Sequence, residues 1–327
     1  MNTITVSAPG KLMLFGDHAV VYGNPCLVTA VDQRMYATVT LLDEPVFQLE
    51  APEAGVSDYC KSMDALGDGN IPQGARFVEG AIRNMLATCK EQLPAHVGVK
   101  VATRSEFSSK FGFGSSSAST VCVIKALSEL CNLQLSNKQL FDIAYKTVLD
   151  IQGAGSGFDT AAAIYGGTIY FVAGGRVIEP ITINSLPLIV GYSGIKGDTA
   201  TLISQVAAKR NENMKMFEEL FHISTGLVER AKGALQRDDL ESVGHLFKSG
   251  EELMFQYGVE IEKLKNMIHA ALTAGAWGAK MSGAGGGDCM IALAPPAKRS
   301  SVEAAMKEAG GEVIHLATHE QGARVEQ

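Results

Sequence analysis

The chain has 327 residues, of which 46% are hydrophobic and 19% are charged, so it can bury a full core and is not a disordered polypeptide. Its formal net charge of -7 leaves no basic field to hold a nucleic-acid backbone. Because the chain is acidic overall, an anionic ligand would be attracted locally, by backbone amides, a lysine or a metal ion. The length suits one large domain or two ordinary ones.

The six cysteines are widely scattered and form no Cys-x-x-Cys pair. This spacing predicts reduced thiols in the core, not a disulfide framework or a zinc site. No apolar run is long enough to span a bilayer, and the first residues do not resemble a signal peptide. We therefore expect a cytoplasmic protein that binds a small molecule and neither a membrane nor nucleic acid. The sequence leaves a homodimer open.

The first part of the chain is rich in predicted strands. Apolar and β-branched residues alternate or cluster in four short segments, at 3–6, 12–15, 26–31 and 34–42. Pro9 and Gly10 predict a turn over residues 8–11. Residues 47–73 are weakly patterned and predict a loop.

A glycine-serine stretch at 111–120 follows a predicted strand at 97–103 and precedes a predicted helix at 121–133. Glycines permit turns that side chains forbid, and the first amides of a helix lack helical partners and carry the positive end of the helix dipole. Such a helix start binds anions, most often phosphate. The ordinary alternative is a serine N-cap after a turn, which this stretch alone slightly favours.

Two further stretches combine glycine with polar residues. In the segment 150–170, glycines and Ser156 precede Asp159, so a ligand could approach that carboxylate closely. The alternative is that Asp159 caps a short helix at 160–164, and both can hold. Four glycines between 283 and 287 separate two strand-like segments. Because fixing so many glycines is entropically costly, we expect a ligand to approach this loop closely.

Helices dominate the chain from residue 200 on, and two more are predicted before that point. Apolar periodicity predicts helices at 74–92, 136–148 (with Ser136 as N-cap), 200–209, 212–237, 239–257, 261–274 and 301–309. Two more strands are predicted at 186–192 and 312–315, and the tail from His319 is polar. Strands first and helices later, without βαβα alternation, predict an α+β fold with two lobes, at 1–180 and 181–327.

Three segments of the chain resemble the motifs of the GHMP small-molecule kinase family. Residues 9–18, Pro-Gly-Lys through Gly-Asp-His, are similar to the first motif; residues 112–118 are similar to the Gly-Leu-Gly-Ser-Ser-Ala phosphate loop; and residues 282–287 are similar to the third motif. The ordered trio spans nearly the whole chain. The resemblance implies a two-lobed fold with ATP and Mg²⁺ in the cleft, and phosphate transfer to a small alcohol.

The resemblance also implies roles for individual residues. Asp159 would be the catalytic base, and Lys11 would favour its ionised form. The nucleotide would be held by Gly112, Gly114, Ser115, Ser116, Ser117, Gly285 and Gly286. Ser116 would also ligate magnesium. The acceptor would contact His18, Asp17, Ser156 and Thr199.

Within the family, residues 18–23 and 150–159 are most similar to the mevalonate kinase branch, which implies mevalonate as the phosphate acceptor. Two details favour 5-phosphomevalonate as the acceptor instead: the run 155–159 and the pair Asp288-Cys289. The cationic partner of the acceptor's carboxylate stays open between Lys110 and Lys196.

Some positions depart from the family pattern. Asp17 stands where mevalonate kinases usually carry glutamate, and Val148 stands where many carry a magnesium-binding glutamate, with Asp150 as the nearest replacement. Val148 raises a third hypothesis, that the protein senses a ligand and is not catalytic. The presence of Lys11 and Asp159 argues against this hypothesis. A nucleotide-binding dehydrogenase is disfavoured because the central loop lacks the Gly-x-Gly-x-x-Gly fingerprint.

Overall fold

The computed structural model describes residues 2–89 and 97–326, which form two β-sheets and the helices packed on them. The strands are β1 (Thr3–Phe15), β2 (Pro25–Leu42), β3 (Val46–Ala51), β4 (Val56–Ser62), β5 (Gly98–Ser105), β6 (Thr168–Val172), β7 (Val177–Ile181), β8 (Ile189–Tyr192), β9 (Gly278–Met281), β10 (Cys289–Leu293), β11 (Glu312–Ile314) and β12 (Arg324–Val325). The helices are α1 (Arg76–Thr88), α2 (Ser115–Leu130), α3 (Asn137–Gln152), α4 (Phe158–Tyr165), α5 (Thr199–Glu212), α6 (Met214–Gln236), α7 (Leu240–Tyr257), α8 (Glu262–Thr273) and α9 (Arg299–Glu308).

The larger sheet follows the order β12-β1-β2-β5-β3-β4, with β6 also paired to β2 and β7 to β6. The smaller sheet follows the order β11-β8-β10-β9. Helix α2 packs on β1 and β2, α1 and α3 pack on α2, and α7 and α8 pack on β9 and β10. The α+β class is confirmed. The division of the chain at residue 180 stays a prediction.

The turn predicted at 8–11 is wrong, because β1 and β2 run through it as long antiparallel strands. Pro9 pairs with Arg34 but Gly10 pairs with Val31, so β2 has two extra residues opposite this point. A proline within a strand is tolerated at such a bulge. The bulge replaces the turn and keeps Lys11 on β1, which ends at Phe15, just before the last three residues of the first motif.

The loop predicted at 47–73 is also wrong in its first half. Strands β3 and β4 form an antiparallel pair, and β3 also pairs with β5 in parallel. Phe47 and Leu49 are buried, which is the alternation expected of a strand with one face on the core. The buried carboxylate of Glu79 on α1 accepts hydrogen bonds from Tyr59 Oη at 2.8 Å and Lys61 Nζ at 2.8 Å, and so fastens β4 to the helix.

The polar tail folds back onto the larger sheet. Its last strand, β12, pairs with β1, and the buried guanidinium of Arg34 donates to the carbonyls of Gln321 at 2.8 Å and Gly322 at 2.9 Å. Chain ends are tied down when they pair in this way.

The predicted helices of the second half are confirmed within a few residues, and Ser136 caps α3 in a reciprocal capping box with Gln139. The helix predicted at 74–92 is α1; its residues beyond 89 lie outside the described residues. The cysteines of the described residues are free, but Cys60 is exposed, so the expectation of core thiols fails there. Within the described ranges, no helix combines the length and apolarity that crossing a bilayer requires.

Candidate active site

The glycine-serine stretch forms the first turn of α2, which begins at Ser115 and not near residue 121 as predicted. Gly114 is the N-cap residue, with φ of +79°, and no side chain caps the helix. The amides of a first turn have no helical partners, and here no side chain takes their place, which is the arrangement of an anion site. A glycine is needed at 114 because residues with side chains rarely adopt this φ.

Lys11 and Asp159 meet at this helix start. Lys11 Nζ lies 3.0 Å from Asp159 Oδ1. A Cβ atom on Gly114 would lie 3.4 Å from both Asp159 Oδ1 and Lys11 Cε. The distant segments thus converge at one place, as the resemblance implied. The lysine side chain is 9% exposed, whereas that of the aspartate is 33% exposed and so remains open to a ligand.

Strand β1 is fastened to the loop before α2 by the same lysine. Lys11 Nζ donates to the carbonyl oxygen of Gly112 at 2.8 Å, and its backbone amide donates to that of Phe113 at 3.0 Å. The ammonium also lies 5.0 Å from the centre of the Phe158 ring. These contacts hold the lysine side chain in one position, beside the carboxylate.

Asp159 does not cap its helix, contrary to one of the two predicted roles. Gly157, with φ of +92°, is the N-cap of α4, and Asp159 lies in the first turn. An acidic side chain in a first turn is stabilised by the helix dipole. The carboxylate therefore lies at the start of α4 without using its oxygens as a cap.

The three serines of the first turn differ in exposure. Ser115 and Ser116 are half-buried, so a ligand can reach their hydroxyls. Ser117 is buried, and its Oγ accepts a hydrogen bond from Thr160 on α4 at 3.5 Å. Ser117 therefore links α2 to α4, and a ligand would contact it through its backbone amide.

His18 lies beside the third glycine motif. Its Nε2 is 2.9 Å from the carbonyl oxygen of Ala284, and its ring packs edge-on to Tyr257 with centres 5.6 Å apart. The φ of +56° is unusual for a residue with a side chain. Burial lowers the pKa of His18, so the ring is neutral near pH 7. Because a carbonyl only accepts, Nε2 must carry the proton, which makes Nδ1 an acceptor.

Both carboxylate oxygens of Asp17 are bonded within the protein. Oδ2 accepts from Lys280 Nζ at 2.8 Å and Oδ1 accepts from the amide of Gly283 at 2.9 Å. Lys280 is fully buried and also donates to the carbonyl of Met281. A buried charge needs such a partner. Asp17 thereby joins the end of β1 to the third motif and positions the neighbouring His18.

Gly285 and Gly286 of the third motif are required by protein packing, so the presence of glycine at these positions has an explanation that needs no ligand. A Cβ on Gly285 would lie 2.7 Å from the carbonyl oxygen of Val259, and one on Gly286 would lie 2.7 Å from Leu202. Gly286 also donates to Val259 at 2.8 Å. Their contact with the nucleotide stays a prediction.

The remaining predicted residues lie in separate places. Ser156 is buried just before α4, and Thr199 is the exposed first residue of α5. Lys110 and Lys196 are both exposed.

The position of the missing glutamate is apolar. Val148 is buried on α3 and faces Gly155. Asp150 binds other side chains of the protein: its Oδ2 accepts hydrogen bonds from Lys146 Nζ at 2.5 Å and from Asn84 Nδ2 at 3.0 Å. It lines a cavity of about 280 Å³ between α1 and α3.

No cluster of three acidic, histidine or cysteine ligands occurs among residues 2–89 and 97–326. A metal ion here would rely on hydroxyls, phosphate oxygens and water, which Mg²⁺ accepts.

Sequence reasoning missed two residues of this region as site residues. Lys280 lies 263 positions from its partner Asp17, so no local pattern could pair them. Asp288 lies against Gly112, with its Oδ2 2.6 Å from where a Cβ of residue 112 would be. The signal for Asp288 was its place directly after the glycine run.

Comparison with known proteins identifies the family. The model for "GHMP kinases N terminal domain" matches residues 76–167, and that for "GHMP kinases C terminal" matches residues 231–312. The mevalonate kinase of Pyrococcus horikoshii is 33% identical, over 99% of this chain and 98% of that protein.

Solved structures share the fold. The Lin0012 protein from Listeria innocua superposes with a TM-score of 0.88 at 25% identity, over 100% of both chains. L. major mevalonate kinase, solved in complex with R-mevalonate, superposes with a TM-score of 0.77 at 25% identity, over 96% of this chain and 95% of that one. With the family models and a full-length relative above 30% identity in agreement, the chain belongs to the GHMP kinase family.

Proposed function

We propose that the protein is a mevalonate kinase, which transfers the terminal phosphate of ATP to the 5-hydroxyl of mevalonate and releases 5-phosphomevalonate and ADP. The observation that carries this proposal is the Lys11–Asp159 pair, 3.0 Å apart at the uncapped start of α2. The relative from Pyrococcus horikoshii, named a mevalonate kinase and aligned over nearly the full length, supports the choice of acceptor.

The phosphates of ATP would lie against the first turn of α2. Its free amides would donate to phosphate oxygens, and the helix dipole favours the negative charge; Gly112 and Gly114, both with positive φ, shape the loop that leads into this turn. Ser115 and Ser116 would bond phosphate oxygens, and Ser116 would hold Mg²⁺ together with those oxygens and water. Bound magnesium would neutralise charge that develops on the transferred group.

Asp159 would orient the 5-hydroxyl and take its proton as the new O–P bond forms. The exposed part of the carboxylate makes this contact, while Lys11 pairs with its Oδ1 from the buried side. Positioning and charge neutralisation supply most of the catalysis in phosphoryl transfer, because its transition state is largely dissociative.

His18 would recognise a hydroxyl of the acceptor. Its neutral ring carries a proton on Nε2, bonded to Ala284, and offers Nδ1 as an acceptor. An acceptor nitrogen suits a hydroxyl better than a carboxylate. Asp17 would act by holding His18 and Gly283, while Ser156 and Thr199 stay candidates for direct contact with the acceptor. The homodimer and the cytoplasmic location stay predictions from the sequence.

The test is an acceptor panel. The protein is incubated with ATP and magnesium and either mevalonate or 5-phosphomevalonate, and ADP release is followed. We expect turnover with mevalonate. Turnover with 5-phosphomevalonate alone would establish the alternative acceptor, and turnover with neither would refute the proposal.

A further inference from the structure

Asp288 ties the third glycine motif to the loop between β8 and α5. Its backbone amide donates to the carbonyl of Ile195 at 2.8 Å, its carbonyl accepts from Ser193 at 3.0 Å, and its Oδ1 accepts from the amide of Gly197 at 2.9 Å. The residue has φ of +55°, a conformation that aspartate adopts more readily than most residues with a side chain. Three hydrogen bonds to one loop hold it there.

The other carboxylate oxygen lies against the phosphate loop. A Cβ atom on Gly112 would be 2.6 Å from Asp288 Oδ2 and 3.1 Å from Asp288 Cβ. The aspartate thus fills the space that any side chain at 112 would need. The carbonyl of Gly112 in turn accepts the hydrogen bond from Lys11 Nζ at 2.8 Å. One chain of contacts therefore runs from the loop at 193–197 to Lys11.

The carboxylate of Asp288 is partly buried, and its surroundings act on its pKa in opposite directions. Burial raises the pKa of Asp288, whereas the hydrogen bond from Gly197 and the charges of Lys11 and Lys196 lower it. An acidic side chain directed at the triphosphate would repel the nucleotide. Since its oxygens are directed at Gly197 and Gly112, a positioning role fits this geometry better than direct contact with phosphate.

We propose that Asp288 is a positioning residue, which holds the phosphate loop at Gly112 against the 193–197 loop and so keeps Lys11 beside Asp159. This inference rests on the phosphate-binding role proposed above for the start of α2. Contact between neighbouring residues of a site is expected to show as a coupling between their substitutions.

The first experiment compares Asp288→Gly with Asp288→Asn. Glycine keeps the backbone conformation but removes both side-chain contacts, so we expect the KM for ATP and the Kd of a fluorescent ATP analogue with magnesium to rise roughly tenfold. The KM for mevalonate and the melting temperature should stay close to wild type. Asparagine keeps the acceptor for Gly197 and the bulk against Gly112, so we expect values within about threefold of wild type.

The second experiment is a double-mutant cycle with Gly112→Ala. The positive φ of Gly112 penalises alanine in either background, but the clash with Asp288 exists only in wild type. We expect Gly112→Ala to weaken nucleotide binding roughly tenfold less in the Asp288→Gly background. The matched control is Asp198→Asn, an exposed aspartate in the same segment that caps α5, which should leave the Kd unchanged.

Three results would overturn the inference: wild-type nucleotide binding in Asp288→Gly, an equal loss in Asp288→Asn and Asp288→Gly, or independent effects in the cycle. The nucleotide Kd is measured without acceptor. A protein that fails to phosphorylate mevalonate but loses nucleotide affinity in Asp288→Gly would therefore refute the proposed acceptor and leave this inference standing.

Discussion

Replacement of Lys280 by methionine tests the link between the first and third motifs. Lys280 is fully buried, and Asp17, at 5% side-chain exposure, depends on it. The variant Lys280→Met leaves a buried carboxylate bonded only to the amide of Gly283. Breaking a buried pair by removing one partner costs about 3–5 kcal/mol. At about 2 °C per kcal/mol for a chain of this size, we expect the melting temperature to fall by roughly 6–10 °C.

Thermal unfolding monitored by circular dichroism measures this loss, with Lys138→Met as the matched control. Lys138 forms an exposed ion pair with Asp142 one turn along α3, a contact worth about 0.3–0.5 kcal/mol. The double variant Asp17→Asn, Lys280→Met should recover much of the lost stability, because no uncompensated charge is then buried. If Lys280→Met melts within about 2 °C of wild type, the assumption that this pair holds the two motifs together is refuted.

Three further outcomes are expected. Burial raises the pKa of Glu251 from its ordinary value of 4.5 to about 7 in the folded protein. The folded state therefore binds this proton more tightly than the unfolded chain, and the free energy of unfolding falls as the pH rises from about 4.5 to 7. The variant Glu251→Gln should accordingly raise the melting temperature at pH 8 but not at pH 4. Lys11→Met should lower kcat by roughly 10²-fold in the ADP assay, since the ion pair that positions the Asp159 carboxylate and the hydrogen bond to Gly112 are both lost. Gly285→Ala should melt well below Gly283→Ala, because both have positive φ but only residue 285 meets a backbone carbonyl.

Sequence reasoning succeeded where the signal is local. Helix periodicity located the helices of the second half, and the glycine-serine stretch at 111–120 indicated an anion site at a helix start, although the helix begins six residues earlier than predicted. The prediction failed where pairing between distant strands outweighed the local sequence signal. Pro9-Gly10 is a strong turn signal, yet pairing with β2 absorbs both residues in a bulge. Residues 46–62 have weak patterns but become strands because β5 provides an edge.

At the candidate site, too, contacts between distant segments could not be predicted from local sequence. Lys11 and Asp159 could be paired from family motifs, but the reasons for several glycines could not be predicted. Glycines at 285 and 286 were expected to admit a ligand, whereas the structure places Val259 and Leu202 against them. Such contacts depend on the packing of α5 and of the residues just after α7, which no stretch near residue 285 encodes.

The central claim is that Asp159, on α4 beside the start of α2, receives the proton of the alcohol during phosphate transfer. Its most direct test is a single-turnover measurement of 5-phosphomevalonate formation, comparing wild type with Asp159→Asn at equal nucleotide occupancy. We predict an unchanged Kd for ATP and a transfer rate lower by roughly 10²–10⁴-fold in the variant. A transfer rate near that of wild type at the same occupancy would contradict the account.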